Sequence, residues 1–246
     1  MNIKNHIPNI ITLGNVFCGT LATIYALQQD FVMTAWLVII GILFDFFDGF
    51  AARILKVQGE LGKQLDSLAD MITSGVVPGI VMLQLLKNVF DGDAVGYFGE
   101  NIEVFTSSYF PYLGLLLTLF AAYRLAKFNI DERQTDEFIG LPTPAMSLFV
   151  ISLPLIAQFS EFSFFSGLVY NKIFLLITTV LLSIIMISEL RLFSLKFKNF
   201  SLKKNLVKYL FLMLSLVLLI VLKFVAIPLI ILLYVLISLT QNILYK

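Results

Sequence analysis

The segment that decides the fold runs from Asp45 to Asp70 and reads DFFDGFAARILKVQGELGKQLDSLAD. It carries four aspartates, one arginine and three glycines, whereas the sequence on either side consists mainly of Leu, Ile, Val and Phe. An ionised aspartate at the centre of a membrane helix costs about 3 kcal/mol. Four acids placed so close together in an apolar chain therefore indicate a ligand that compensates their charge.

The composition of the whole chain excludes a soluble domain. Of the 246 residues, 59% are hydrophobic and 13% are charged, and the mean hydropathy is +0.94. Several runs of about 18 to 22 residues carry almost no charge, and a helix of that length crosses the ~30 Å hydrocarbon core of a bilayer. The runs are continuous and lack the short alternating segments of a membrane β-barrel. We therefore expect an all-α integral membrane protein.

Eight apolar runs predict eight membrane spans. They cover about 9–28, 31–51, 65–88, 109–128, 142–160, 169–190, 206–222 and 224–243. An acidic loop without Lys or Arg separates the third run from the fourth, and a basic loop, RLFSLKFKNFSLKKN (191–205), separates the sixth from the seventh. No extended linker or low-complexity segment divides the chain, which predicts a single membrane domain over 1–246.

The distribution of Lys and Arg predicts the orientation, because cytoplasmic loops carry an excess of basic residues. With the N-terminus in the cytoplasm, 14 of the 17 basic residues fall in cytoplasmic segments and their flanks, and only Lys87, Lys172 and Lys223 fall outside. We expect a multi-pass protein of a prokaryotic cytoplasmic membrane with both termini in the cytoplasm. The acidic segment then lies at the cytoplasmic ends of spans two and three.

Helical geometry places the four aspartates in two pairs. Each residue of a helix turns the side-chain direction by about 100°, so Asp45 and Asp48 share one face, and Asp66 and Asp70 share another. The segment VQGELG (57–62) is predicted to form the turn that brings the two pairs together. The other residues on these faces are small or cationic: Gly49, Ala52, Arg53 and Gly62.

Clustered carboxylate oxygens are ligands for Mg²⁺ or Mn²⁺. Four of them can hold two ions ~3.5–4 Å apart, an arrangement used for phosphoryl displacement. Arg53 is suited to a bidentate contact with a phosphate. The structural alternative is that the acids form salt bridges at the helix ends with Arg53, Lys56 and Lys63.

The acidic segment resembles the signature of the CDP-alcohol phosphotransferase family, D-x2-D-G-x2-A-R-x8-G-x3-D-x3-D, and matches every fixed position between Asp45 and Asp70. The resemblance implies a six-helix catalytic core, here 1–190, followed by a basic loop and two additional spans over 191–246. It also implies a CDP-linked donor, an alcohol acceptor, two divalent cations (Mg or Mn) and a homodimer.

The same resemblance implies roles for individual residues. Asp45, Asp48 and Asp66 bind the metals, and Asp70 binds the second metal and acts as the general base on the acceptor hydroxyl. The residues implied to lie where the family holds the cytidine and phosphates are Gly49, Ala52, Arg53, Gly59 and Gly62.

Three further segments narrow the choice of acceptor alcohol: IPNIITLGNVFCG (7–19), YRLAKFN (123–129) and FIGLPTPA (138–145). They resemble the phosphatidylserine synthases of the family, which implies CDP-diacylglycerol and L-serine as substrates. By that analogy Asn9 and Thr12 lie beside the nucleotide. The alternative is that these two residues cap the first helix, and that the LPTP sequence is only a loop.

Serine is a zwitterion, so its pocket requires a cation for the carboxylate and an acceptor for the ammonium. Arg124 and Lys127 are the candidate cations and Thr143 is a candidate polar contact. The plainer interpretation of Arg124 and Lys127 is that they anchor a span at the cytoplasmic surface.

Other functions stay open at this point. Within the family, phosphatidylglycerophosphate synthase, phosphatidylinositol-phosphate synthase and cardiolipin synthase use different acceptors. Outside it, a divalent-cation transporter would also place carboxylates in membrane helices, although the outer halves of spans two and three are apolar. A scaffold that binds anionic membrane lipids through the basic loop would leave the acids unexplained. Nothing in the composition indicates a nucleic-acid partner.

Overall fold

A computed structural model of the chain describes residues 6–57, 59–90, 108–131, 138–193 and 205–244. These residues form ten α-helices, together with one antiparallel pair of two-residue strands, β1 (Phe138–Ile139) and β2 (Arg191–Leu192). The helices are α1 (His6–Leu27), α2 (Phe31–Leu55), α3 (Glu60–Asp70), α4 (Val77–Phe90), α5 (Leu116–Ile130), α6 (Thr143–Phe159), α7 (Ser163–Val169), α8 (Lys172–Ile187), α9 (Leu206–Leu222) and α10 (Ala226–Leu244).

The prediction of an all-α integral membrane protein is confirmed. Within the described residues, five helical stretches are long and apolar enough to cross a membrane, and there are six if the bent pair of α7 and α8, whose axes differ by 73°, counts as one span. The span predicted at 142–160 is α6, an apolar helix of 17 residues. Most of the two predicted loops, 91–107 and 194–204, lies outside the described residues.

The last two predicted spans form a helical hairpin within one apolar stretch, Leu206–Asn242. The stretch breaks at Lys223, whose φ of +50° lies in the left-handed region. Phe211 of α9 and Tyr234 of α10 lie at similar distances along the chain from Lys223, and their ring centroids are 5.8 Å apart. The two helices are therefore antiparallel, and the Tyr234 hydroxyl fastens the hairpin to the rest of the fold by donating to the Phe193 carbonyl at 2.8 Å.

The core is centred on α4. Of its 14 residues, 11 are buried, because α1, α6 and α8 all pack against it. By contrast, only Phe211 and Ser215 of α9 are buried, and most of its leucines and isoleucines are exposed. A helix that is apolar on all its exposed sides suits contact with lipid, so α9 lies at the periphery of the bundle.

The turn between α2 and α3 is shorter than the predicted turn VQGELG. Lys56 ends α2 in the left-handed conformation with a φ of +54°, and its N–H donates to the carbonyls of Ala52 and Arg53. Gly59 then precedes α3, which begins at Glu60. The residues after Gly59 therefore belong to the helix that carries Asp66.

A π-helical segment, Met71–Val76, follows Asp70 directly and joins α3 to α4 in one continuous helical stretch. Such a segment disturbs the regular ladder of backbone hydrogen bonds, and neighbouring hydroxyls bond to its carbonyls. Thr118 of α5 donates to the Gly75 carbonyl at 3.0 Å, and Ser147 of α6 lies 3.5 Å from the Thr73 carbonyl. The π segment therefore docks α5 and α6 next to Asp70.

The start of α6 depends on a glycine. Gly140 has a φ of +73°, and a Cβ there would collide with the Met186 carbonyl oxygen, so no other residue fits without strain. Its N–H donates to the Leu190 carbonyl at 2.8 Å. The interpretation of the LPTP sequence as a loop is correct for Leu141 and Pro142. Thr143 is the first residue of α6.

Candidate active site

Three of the four aspartates come together between α2 and α3, and the fourth, Asp70, interacts with them electrostatically. Asp45, Asp48 and Asp66 each offer a carboxylate oxygen, and these atoms all lie within 4.8 Å of one another. Asp70 lies within electrostatic range of Asp45, Asp48 and Asp66. Asp48 is only 5% exposed. Two helices therefore direct four acids into one partly buried volume.

The salt-bridge alternative does not account for this cluster. The Arg53 Nε donates to the Gly49 carbonyl at 2.9 Å, and the Lys63 Nζ donates to the Asn129 carbonyl at 2.7 Å. Among the described residues, the ion pairs are formed by Glu189 with Lys127 and by Glu161 with Lys223. None of them involves the four aspartates.

The residues of the cluster fit a divalent metal. Two like charges less than 5 Å apart repel by about 3 kcal/mol at the effective dielectric of a protein site, so the cluster requires protons or cations. Its donors are hard oxygen atoms, which Mg²⁺ and Mn²⁺ prefer. A cation held by Asp45, Asp48 and Asp66, with Asp70 beside it, would relieve the repulsion.

Helix α1 forms the third side of the site. The Thr12 hydroxyl lies 2.5 Å from Asp48 Oδ2 and 3.1 Å from the Pro8 carbonyl. The Asn9 Oδ1 lies 3.5 Å from the position that a Cβ at Gly62 would occupy. Because α1 is already helical at His6, Asn9 and Thr12 lie inside the helix, and the interpretation of these residues as helix caps is wrong.

The residues that the signature implies for the nucleotide lie at the end of α2 and the start of α3. Arg53 is exposed, and one of its terminal nitrogens, Nη2, lies 3.7 Å from the position of a Cβ at Gly49. Ala52 is half-buried beside it on α2. Gly59 has open space around it at the start of α3. The guanidinium therefore lies over a helix surface that carries no bulky side chain at Gly49.

The three candidate serine contacts differ in their surroundings. Arg124 is buried, interacts electrostatically with Asp70 and lies 5.9 Å from the centre of the Phe128 ring. Within the described part of the chain, neither the Arg124 Nε nor the hydroxyl of the buried Thr143 has a hydrogen-bond partner. Lys127 is more exposed and pairs with Glu189 at 2.5 Å. The structure thus brings Arg124 to the aspartates and places Lys127 in an ion pair.

Sequence reasoning missed Asn15. This residue of α1 is fully buried, and its Oδ1 accepts a hydrogen bond of 2.6 Å from the Thr73 hydroxyl in the π segment. Asn15 follows Thr12 by three residues and so shares its helix face. That spacing of polar residues in an apolar helix was the available signal.

The chain belongs to the CDP-alcohol phosphatidyltransferase family, whose model matches residues 5–185. The resemblance noted in the acidic segment is thereby confirmed.

Three relatives carry names that refer to serine. The CDP-diacylglycerol–serine O-phosphatidyltransferase of Bacillus subtilis (strain 168) is 31% identical over 76% of this chain and 89% of its own length. The enzyme of that name from Helicobacter pylori (strain ATCC 700392 / 26695) is 33% identical over 75% of this chain and 70% of its own length. An archaetidylserine synthase of Methanothermobacter thermautotrophicus is 29% identical over 64% of this chain and 61% of its own length.

Proposed function

We propose that this enzyme transfers the phosphatidyl group of CDP-diacylglycerol to L-serine and releases cytidine monophosphate, with two divalent cations held by Asp45, Asp48, Asp66 and Asp70. The observation that carries the proposal is the convergence of Asp45, Asp48 and Asp66, with Asp70 and the buried Arg124 interacting electrostatically beside them. The names of the relatives support serine as the acceptor.

The aspartates and Arg53 would hold the donor. The cations supply charge neutralisation for the diphosphate, which is the chief electrostatic requirement of phosphoryl transfer. Arg53 would contact a phosphate from the exposed edge of the site, where its Nε already bonds to the Gly49 carbonyl. Asn9 and Gly62, which approach each other across α1 and α3, would flank the nucleotide.

Asp70 would act on the acceptor. The serine hydroxyl oxygen attacks the phosphorus that carries the diacylglycerol, the bond from that phosphorus to cytidine monophosphate breaks, and the electron pair leaves with cytidine monophosphate. The Asp70 carboxylate takes the hydroxyl proton, since an alcohol is a weak nucleophile without a base. Asp70 is the last residue of α3 and is followed directly by the π segment.

Arg124 would bind the serine carboxylate. Its Nε has no hydrogen-bond partner among the described residues, and a buried donor left unpaired costs about 1–3 kcal/mol. A carboxylate offers the charge and the two oxygens that a guanidinium pairs with best. The Thr143 hydroxyl, also buried and without a partner among the described residues, would add a polar contact. Lys127, whose charge is paired with Glu189, would be the weaker of the two candidate cations.

An assay of acceptors tests the proposal. Purified protein is given CDP-diacylglycerol and Mn²⁺ or Mg²⁺, together with serine, glycerol phosphate or inositol phosphate, and cytidine monophosphate and lipid products are measured. Serine should yield phosphatidylserine. Turnover with glycerol phosphate and none with serine would contradict the acceptor. Metal flux into vesicles without release of cytidine monophosphate would favour the transporter.

The orientation is part of the proposal, because a cytoplasmic nucleotide must reach the aspartates. It rests on the basic residues counted above. In a background lacking Cys18, a cysteine in place of Ser107 should react with an impermeant thiol reagent from outside, and one in place of Ser201 should not. The reverse pattern would place the active site on the wrong side.

A further inference from the structure

Asn15 and Thr73 form a polar contact in the interior of the bundle that the reaction described above leaves unused. Both side chains are fully buried, and the Thr73 hydroxyl donates to Asn15 Oδ1 at 2.6 Å. The two residues are 58 positions apart in the sequence. Thr73 lies in the π segment that begins immediately after Asp70.

The surrounding helices leave room for this contact. A Cβ at Gly41 of α2 would lie 2.8 Å from Asn15 Oδ1 and 2.8 Å from Thr73 Cγ2, and a Cβ at Gly19 of α1 would collide with the Thr73 hydroxyl. Real Cβ atoms do not approach other atoms so closely. Two helices therefore present glycines where the Asn15–Thr73 pair requires space.

The hydrogen bond from Thr73 orients the Asn15 amide. Because Oδ1 already accepts this hydrogen bond, Nδ2 is the remaining polar group of the amide. It has no hydrogen-bond partner among the described residues. Asp70 precedes Thr73 by three residues in the same continuous helical stretch, so its carboxylate lies on the helix side that Thr73 presents to Asn15. The opposite amide orientation would place an oxygen against a carboxylate, which is repulsive, so electrostatics favours the orientation in which Nδ2 faces Asp70.

We propose that Asn15 is a positioning residue, whose Nδ2 donates to the Asp70 carboxylate and holds it in the orientation in which it takes the acceptor proton. The role rests on the proposed function of Asp70 as the base. Hydrogen bonds at active sites often form fully only when substrate is bound, so the unpartnered Asn15 Nδ2 is available to Asp70 in the substrate complex. Thr73 holds the amide, and Gly41 and Gly19 leave space for both residues.

The test compares Asn15→Ala, Thr73→Val and Thr73→Ser. Removing a residue that orients a reacting group typically costs about 10- to 100-fold in activity, so Asn15→Ala should lower kcat by that factor and leave the KM for CDP-diacylglycerol within about twofold. Thr73→Val should lower kcat in the same direction, and Thr73→Ser, which keeps the hydroxyl, should restore it. The matched control is Asn88→Ala, which removes a buried amide at the far end of α4 and should leave kcat unchanged.

A double-mutant cycle separates positioning from structural damage. In an Asp70→Asn background, Asn15→Ala should cause no further loss, because the base that it positions has gone. An equal loss in both backgrounds, or a change confined to the KM for CDP-diacylglycerol, would overturn the proposal. Rates are measured with whichever alcohol the wild type uses, so failure of the serine assignment leaves this test intact. If Asn15→Ala does not fold, Thr73→Val and Thr73→Ser are compared instead, in the wild type and in Asp70→Asn. A loss of kcat in Thr73→Val that is absent in the Asp70→Asn background would support the proposal, and an equal loss in both would overturn it.

Discussion

Both ends of the bundle bury polar side chains. The aspartate end and the end distant from it differ in how the hydrogen-bonding groups of those side chains are satisfied. At the distant end, Asn88 of α4 donates to Gln29 Oε1 at 2.9 Å, and Gln84 donates to the Leu27 carbonyl at 3.2 Å. These amides are neutral and bond to groups of the protein itself. Buried polar groups in folded proteins are normally satisfied in this way.

At the aspartate end, the helices around the cluster carry buried polar atoms without partners. Among the described residues, five side chains contain such an atom, and only Ser215 lies away from this end, on α9. The other four are Asn15, Ser74, Arg124 and Thr143. At the distant end the polar side chains named above bond to other groups of the protein. The aspartate end contains the four acids and several buried polar atoms without hydrogen-bond partners. The difference indicates that the aspartate end is completed by ligands.

The largest effects should come from the aspartates. Asp70→Asn keeps the size of the side chain but removes the base, and general-base catalysis contributes about 10²- to 10⁴-fold in rate, so turnover should fall by that factor while CDP-diacylglycerol still binds. Asp45→Asn and Asp66→Asn should weaken metal and donor binding together. Turnover, donor affinity and metal dependence are measured for all three variants.

Excess Mn²⁺ provides the control for these variants. It should partly rescue Asp45→Asn and Asp66→Asn but not Asp70→Asn. Near-normal turnover of Asp70→Asn would exclude it as the base, and equal rescue of all three variants would leave Asp70 as a metal ligand only.

The next largest effect is expected at Arg124. Arg124→Gln removes the buried cation that is proposed to bind the serine carboxylate, and a hydrogen bond to a charged group contributes about 1.5–3 kcal/mol, so the KM for serine should rise about 10- to 100-fold. Lys127→Gln is the matched control, because Lys127 already pairs with Glu189 and should change this KM less. A larger effect of Lys127→Gln than of Arg124→Gln would exchange their roles.

A smaller effect, on stability alone, is expected at the distant end. Asn88→Leu breaks the hydrogen bond to Gln29, and a neutral hydrogen bond contributes about 1 kcal/mol, so the unfolding midpoint in detergent should fall slightly while turnover of the folded protein stays unchanged. A loss of turnover comparable to that of Arg124→Gln would show that the two ends do not differ in function.

The smallest effect is expected at the exposed ion pair between Lys223 and Glu161, 2.8 Å apart. The hydrogen bond and charge of Lys223 lower the pKa of Glu161 below its ordinary value. A lowered pKa contributes stability at neutral pH that is lost as the pH falls through that pKa, and exposure keeps it small. Unfolding midpoints of the wild type and Lys223→Gln should therefore differ slightly at neutral pH and coincide in acid. A difference that grows in acid would contradict this assignment.

The features of the site that depend on residues close together in the sequence could be predicted from the sequence. Apolar runs determine the helices, and the spacing of Asp45, Asp48, Asp66 and Asp70 places the carboxylates in pairs on helix faces. It did not predict the π segment or the contact between Asn15 and Thr73, because these depend on packing between residues 58 positions apart. Periodicity also placed the turn after α2 too far along the chain, since the left-handed Lys56 ends the helix and allows α3 to begin at Glu60.

Counting bound Mn²⁺ tests the proposed two-metal site without reference to turnover. Purified protein is titrated with Mn²⁺ in the presence of a non-hydrolysable CDP analogue, and free Mn²⁺ is measured by electron paramagnetic resonance. We expect about two ions per chain, competition by Mg²⁺, a clear loss of affinity in Asp66→Asn, and no change in Asn88→Leu. Absence of bound Mn²⁺ in the wild type, or binding that Asp66→Asn leaves unaltered, would contradict it.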